Sequence, residues 1–345
     1  MRRTQIIATL GSSTDQMNVL QDMILAGMNI ARINMSHGNQ ALHASRIKHL
    51  QDVSKKLKKR VDILIDLQGP KIRIGKFINK KINLKINSKL ILDPEFDQNA
   101  GTEKTVYLSY SDLYKDLNLN DILLLDDGKV ALKVELIKGN KISCVALHAG
   151  VLSDNKGINI QGGGLSASAL TSKDKEDILF ASQFDIDFFA LSFVKTAEDI
   201  DNIRSIIKYA DSKAKIFAKI ETKKAVINIE EIIKTADGVM VARGDLGVEL
   251  GLAKLPALQK RIIKIAKLLH KPSIVATQMM DSMIENSMPT RAEVMDVANA
   301  VLDGASGVAF SAETAIGKYP ALVIKYVDEI CIEAEREDFL SYIKF

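Results

Sequence analysis

The chain has 345 residues, 47% of them hydrophobic, and its 47 Lys and Arg nearly balance 43 Asp and Glu, leaving a formal net charge of +4. That length accommodates one large α/β domain with a smaller insertion, and so weak and dispersed a positive balance gives no reason to expect a nucleic-acid-binding face. No apolar stretch is long enough to span a bilayer, and Cys144 and Cys331 fit no metal-ligand or redox spacing, so the expectation is a cytoplasmic protein with reduced, buried thiols.

In chain order, the opening Met1-Arg2-Arg3 precedes an apolar run too short for a secretory signal. β-like runs then occur at Ile6 to Thr9, Ile30 to Ile33, Ile63 to Ile65, Phe188 to Leu191, Ile216 to Ile220, Val239 to Ala242, Ile274 to Ala276 and Val308 to Phe310, with helix-length amphipathic segments between them. This alternation predicts parallel strands with crossover helices, and eight units close a (β/α)8 barrel of the TIM type. Thr14 or Ser13 is expected to cap a helix at Met17 to Leu25, Thr171 with Asp174 the one containing Ile178, and Thr196 the one containing Ile200. Gly27 and Gly304 are expected to end two helices, and the basic run from Lys55 to Arg60 reads as a solvated helix end.

One connection departs from the pattern. From Lys71 to about Gly164 the chain predicts no helix but alternating strands at Ile82 to Ile86, Ile122 to Leu125, Val130 to Leu136 and Ile142 to Leu147. The expected organisation is a discontinuous barrel of residues 1–70 and 165–345, with residues 71–164 a small all-β, barrel-like domain inserted after strand three. Gly69-Pro70 and Gly162-Gly163-Gly164 flank it, either as hinges of a lid over the barrel rim or as plain connectors.

Every barrel run ends in polar residues: Thr9; Arg32 to His37; Asp66; Ser192 with Phe193; Lys219 with Glu221; Arg243 with Asp245; Thr277 with Gln278; and Ser311 with Glu313. Barrel enzymes carry their chemistry at this rim, and a purely structural barrel needs no such ring. Adjacent strand ends bring Glu221 and Asp245 within reach of one divalent cation, with Lys219 beside them: a site for an oxyanion held on a metal. Lys219 has a plainer alternative, a structural ion pair with Glu221.

Longer strings make the reading specific. The segments Met28 to Gly38, Asp66 to Arg73, Leu123 to Gly128, Asn155 to Asn159, Met240 to Gly247, Ala276 to Met279, Pro289 to Glu293 and Ser311 to Thr314 resemble the pyruvate kinase family, and the likeness runs from Thr4 to about Pro320. The resemblance implies transfer of the phosphoryl group of phosphoenolpyruvate to ADP, giving pyruvate and ATP in the last step of glycolysis. It also implies Mg²⁺ or Mn²⁺ on Glu221 and Asp245, and a substrate-binding set of Arg32, Ser192, Lys219, Thr277 and the backbone around Arg243, Gly244 and Asp245. Lys219 then stabilises the enolate, Thr277 is associated with its protonation, and Ser311 and Glu313 belong to the relay. On the nucleotide side the resemblance implies Arg32, Asn34, His37, Arg73, Lys156 and Asn159, with Asp127 near the lid's metal-phosphate region. No Walker loop occurs, so nucleotide binding falls to the gap between barrel and lid.

The chain departs from many relatives in carrying Lys71 where they have Glu and Leu67 where they have Thr. Those relatives bind K⁺ at residues matching Asn34, Ser36, Asp66 and that Thr. The Lys71 ammonium supplies the missing charge, so K⁺ is not expected to be required; a surface lysine at the hinge is the alternative. Ser12 stands where the family usually has Pro near the base, which predicts weaker ADP binding. The sequence ends at Phe345, where relatives continue into a regulatory domain; the expectation is a form lacking that domain, without its allosteric control, and self-associating, if at all, through barrel faces. Two other readings stay open: a Mg²⁺-dependent lyase or aldolase of the related pyruvate-enolate barrels, and a non-catalytic truncated relative. The cluster from Arg32 to His37 with Lys156 and Asn159 speaks against a lyase, which has no second phosphate to bind, and the retained charged groups speak against decay.

Overall fold

The computed structural model describes Arg2 to Arg336; residues 337–345, in which the barrel is expected to end, lie outside the described residues. The first three barrel strands are β1 (Gln5–Thr9), β2 (Ile30–Asn34) and β3 (Asp62–Asp66). Eight strands follow in the insertion: β4 (Lys81–Leu84), β5 (Lys89–Asp93), β6 (Thr105–Tyr107), β7 (Ile122–Leu125), β8 (Val130–Lys138), β9 (Lys141–Ala146), β10 (Gly150–Ser153) and β11 (Ile158–Ile160). The barrel resumes with β12 (Phe188–Leu191), β13 (Lys215–Ile220), β14 (Gly238–Ala242), β15 (Ser273–Ala276) and β16 (Gly307–Phe310). Its eight strands close in the order β1-β16-β15-β14-β13-β12-β3-β2, every neighbouring pair parallel.

The crossovers are α1 (Met17–Ala26), α2 (Gln40–Leu57), α3 (Ser172–Ala181), α4 (Ala197–Tyr209), α5 (Lys223–Ile227), α6 (Ile229–Thr235), α7 (Arg243–Leu250), α8 (Leu255–Leu268), α9 (Arg291–Leu302), α10 (Ala312–Ala315) and α11 (Pro320–Ala334). Thr171 caps α3 in a reciprocal box with Asp174, and at α4 the Thr196 N–H donates to the Asp199 carboxylate at 3.0 Å without a return bond to the Thr196 side chain. Gly27 ends α1 in the left-handed region at φ 117°. Gly304 likewise ends α9, following Asp303 at φ 97° with its N–H on the Val301 carbonyl at 2.9 Å. One expectation needs correction. Thr14 does not cap α1, because its hydroxyl turns back to Gly11 in a 3-10 turn at Ser12–Thr14, and Gln16 takes the cap position.

Side chains alternate across each strand, so every second residue points into the barrel. Ile7, Ile30, Leu64, Ala190, Phe217, Met240, Ile274 and Ala309 form its apolar interior. Two residues further along, the same inward register reaches Thr9, Arg32, Asp66, Ser192, Lys219, Ala242, Ala276 and Ser311, so the interior turns polar at the carboxyl-terminal rim. Gly238 makes room for this packing, since a Cβ there would lie 2.4 Å from the Phe217 ring.

The insertion forms a six-stranded sheet, β11-β7-β8-β9-β5-β6, and a two-stranded sheet, β10-β4, around its own core. β5, β6, β10 and β11 are not among the expected strands. β6 and β11 have three residues each and β10 has four, too short for alternation to register.

Candidate active site

Lys219, Glu221 and Asp66 come together at the ends of β13 and β3. The Lys219 Nζ lies 2.7 Å from Ser192 Oγ, 3.0 Å from Glu221 Oε1 and 3.1 Å from Asp66 Oδ1. Arg32 holds the other Asp66 oxygen through Nε at 2.7 Å and reaches Thr9 Oγ1 at 2.7 Å. Burial works against the Lys219 ammonium, yet Asp66 and Glu221 hold its pKa above that of an ordinary lysine. Burial likewise opposes the Asp66 carboxylate, but Lys219 and Arg32 outweigh it and leave Asp66 below the usual carboxylate range. For Glu221 burial prevails over Lys219, with Asp245 adding to it, and its pKa is raised.

The second Glu221 oxygen accepts the Phe193 N–H at 2.7 Å, which pins Phe193 at φ 54°. Asp245, in the first turn of α7, pairs through Oδ1 with Lys71 Nζ at 2.6 Å and accepts Asn159 Nδ2 at 3.3 Å. Burial raises Asp245 and Lys71 more than offsets it, so its pKa is lowered. Thr277 has φ 77°, a conformation a β-branched residue rarely adopts and one that costs about 1–3 kcal/mol. Two contacts fix it: its Oγ1 accepts the Gly244 N–H at 3.0 Å, and its carbonyl accepts Arg243 NH2 at 2.6 Å.

One cavity of about 190 Å³ is lined by Arg32, Asn34, Ser36, His37, Asp66, Lys71, Arg73, Ser192, Lys219, Glu221, Asp245, Thr277 and Ser311. Burial, Arg73 and Arg32 all lower the His37 pKa, so its imidazole is neutral among cations. Other residues from the sequence reading stand outside this lining. The Arg243 side chain points away, held by Asp296 at 2.7 Å and the Thr277 carbonyl. Glu313 lies behind the wall, accepting the N–H groups of Ser311 at 2.7 Å and Met280 at 3.4 Å. Lys156 pairs with Asp126 at 2.8 Å, while Asp127 is exposed. Lys71 lines the same cavity as Asn34, Ser36 and Asp66, but its ammonium rests on Asp245.

Three supports are not legible in the sequence. Asp296 clamps Arg243 from within α9, the Phe193 N–H binds Glu221, and Asp174 accepts the Gly69 N–H at 3.1 Å besides capping α3. Asp174 is visible in sequence as a cap; nothing local marks the other two.

A family profile described as pyruvate kinase, barrel domain, matches residues 1–324. The chain belongs to the pyruvate kinase family. It is 50% identical over 339 residues to a pyruvate kinase of Buchnera aphidicola subsp. Schizaphis graminum, covering 97% of this chain and 70% of that protein. It is 48% identical over 339 residues to a pyruvate kinase of Haemophilus influenzae, covering 97% and 71%, and 41% identical over 346 residues to one of Thermotoga maritima, covering 100% and 74%. The chain is a phosphotransferase that moves the phosphoryl group of phosphoenolpyruvate to ADP, giving pyruvate and ATP, and its family generally uses Mg²⁺. No helix among the described residues is long and apolar enough to cross a membrane.

Proposed function

We propose that phosphoenolpyruvate binds in the rim cavity with a divalent cation held by Glu221, Asp245 and the substrate's own oxygens, and that ADP enters on the side of Asn34, His37 and Arg73, beneath the insertion. The buried Lys219 ammonium, set among Ser192, Glu221 and Asp66, is the observation that carries this reading. The donor set fits the ion. Glu221 and Asp245 are hard oxygen donors whose mutual repulsion a bound Mg²⁺ or Mn²⁺ would relieve. Among the described residues no cluster of three or more His, Cys, Asp or Glu is arranged for a metal, as suits an ion shared with substrate. When bound, the ion neutralises charge on the transferring phosphoryl group.

The protein's own groups perform the rest. Arg32, fixed by Asp66 and Thr9, offers positive charge to the phosphoryl oxygens. As the bond from phosphorus to the bridging oxygen breaks, its electron pair stays on that oxygen, and Lys219 stabilises the resulting enolate while a terminal phosphate oxygen of ADP takes the phosphoryl group. The Asp245 N–H at the start of α7 receives the substrate carboxylate, the Gly244 N–H being already given to Thr277. Thr277 Oγ1 already accepts the Gly244 N–H, so its own hydrogen is free to hold the water that protonates the enolate carbon. Glu313 fixes Ser311, which lines the cavity opposite. Lys156, Asn159 and Asp127 belong to the insertion and serve the nucleotide when it closes.

Independence from K⁺ is part of the same reading, because Lys71 brings a fixed ammonium into the cavity lined by Asn34, Ser36 and Asp66. Turnover in buffer free of Na⁺ and K⁺ should be unchanged by KCl; a many-fold rise would overturn this part. The reading also takes residues 71–164 as a lid on the barrel, the protein as cytoplasmic, and self-association as running through barrel faces, supported by exposed Leu268, Met295 and Leu302 on α8 and α9. Pyruvate formation from phosphoenolpyruvate, ADP and Mg²⁺ tests the whole: Lys219→Met should lower the rate by about 10²–10³, as for a lost oxyanion donor. Full activity in that variant would overturn the assignment.

A further inference from the structure

Helix α7 presents Gly244 and Asp245 in its first turn and, one turn later, Glu249, a carboxyl that no step above uses. Glu249 Oε2 accepts the backbone N–H of Lys223 at the start of α5, and its backbone carbonyl accepts the Gly162 N–H at 3.0 Å. Its Oε1 occupies the space a side chain at Gly163 would need: a Cβ there would lie 2.9 Å from that oxygen and 3.4 Å from Lys223 Cβ. Gly162, Gly163 and Gly164 have φ of 85°, 81° and 121°, so the chain leaving β11 turns out of the insertion against this carboxylate.

The two connections of the insertion are therefore held differently. On entry, the Gly69 N–H is tied to Asp174, a fully buried cap. On exit, the glycines rest on Glu249 beside a cavity of about 270 Å³ whose walls include Ile72 and Ile158 from the insertion and Phe193 and Thr222 from the barrel. Pro70 on entry and Gly164 on exit both border that cavity, so the difference lies in the anchors: the buried Asp174 cap makes a pivot, and the Glu249 carboxylate pressed against Gly163 makes a latch.

We propose that Glu249 is a positioning residue that locks the exit of the insertion to α7, so that lid attitude and the setting of Gly244 and Asp245 move together. The proposal rests on the reading of Asp245 as part of the site. Burial pushes the Glu249 carboxyl up to about 7, with Asp245 adding to the rise and Lys223 and Lys195 opposing it; Lys224 and Lys254 line the cavities on its two sides.

The test combines kinetics with hydrogen exchange on the full chain. Glu249→Ala should raise KM for both substrates by about tenfold, within the roughly 10²-fold a misplaced site can cost, and Glu249→Gln, which keeps a carbonyl acceptor for Lys223, should restore most of it. Gly163→Ala displaces the same carboxylate, so its effect and that of Glu249→Ala should not multiply in the double variant; strict multiplication would overturn the proposal. Without substrate, Glu249→Ala should speed amide exchange at Gly162 to Gly164 and at Gly244 together, leaving Gly69 unchanged, and acceleration at one segment alone would overturn it. Mn²⁺ binding by Asp245→Asn separates the two readings: unchanged Mn²⁺ affinity faults the site assignment, whatever the exchange data say of the latch.

Discussion

Lys219 is surrounded by oxygens it did not bring with it, and that dependence runs both ways. Removing it in Lys219→Met leaves Glu221 buried without its cation and Asp66 with Arg32 alone, so the variant should also lose about 3–5 kcal/mol of stability, measured by urea denaturation. Glu249 makes the opposite case. Its folded pKa of about 7 lies above its ordinary value of 4.5, so the native state binds the extra proton and stability falls as pH rises through that window. Glu249→Gln has no charge to bury; its Tm relative to the parent should rise from pH 5 to pH 8, and a constant difference would refute the shift. Which side chains gather at the rim was readable where a buried strand ends in charge, as at Asp66, Lys219 and Glu221. Where they point was not: Arg243 turns to Asp296 and Glu313 to Met280, partners more than 30 residues away in sequence.

At the scale of elements, the barrel strands were legible because each is a short buried run bounded by helix signals, and tertiary packing agrees with local preference. The short insertion strands escaped because their pairing depends on partners far along the chain, as β11 on β7 and β10 on β4. The Thr171 and Asp174 box was legible as a cap, yet its reach to Gly69 was not, since that contact spans 105 positions. Thr171→Ala should cost about 1 kcal/mol by chemical denaturation, as for a lost N-cap. A cost near zero would mean that Asp174 holds the helix start unaided.

For the molecule as a whole, alternation of strand and helix foretold the closed barrel, and one uninterrupted stretch without helical signals foretold the insertion. The angle at which the two meet follows from no local pattern, because it depends on contacts such as Asn159 with Asp245. A divalent ion that binds only the folded protein should raise its unfolding free energy by about 2.7 kcal/mol at a hundred times its Kd. Thermal melts with Mn²⁺ should show that gain, and Glu221→Gln should abolish it.

The contact between Lys71 and Asp245 ties these scales together. Lys71 follows directly on the chain's passage from β3 into the insertion, so if Asp245 takes a cation as proposed, that cation competes with an ammonium anchored to another part of the fold. Thermodynamic reciprocity then applies: whatever factor metal loading contributes to freeing that tether, freeing the tether returns to metal affinity. On the proposed reading the protein's own lysine is a resident competitor, and ion occupancy and inter-domain freedom are two readouts of one equilibrium.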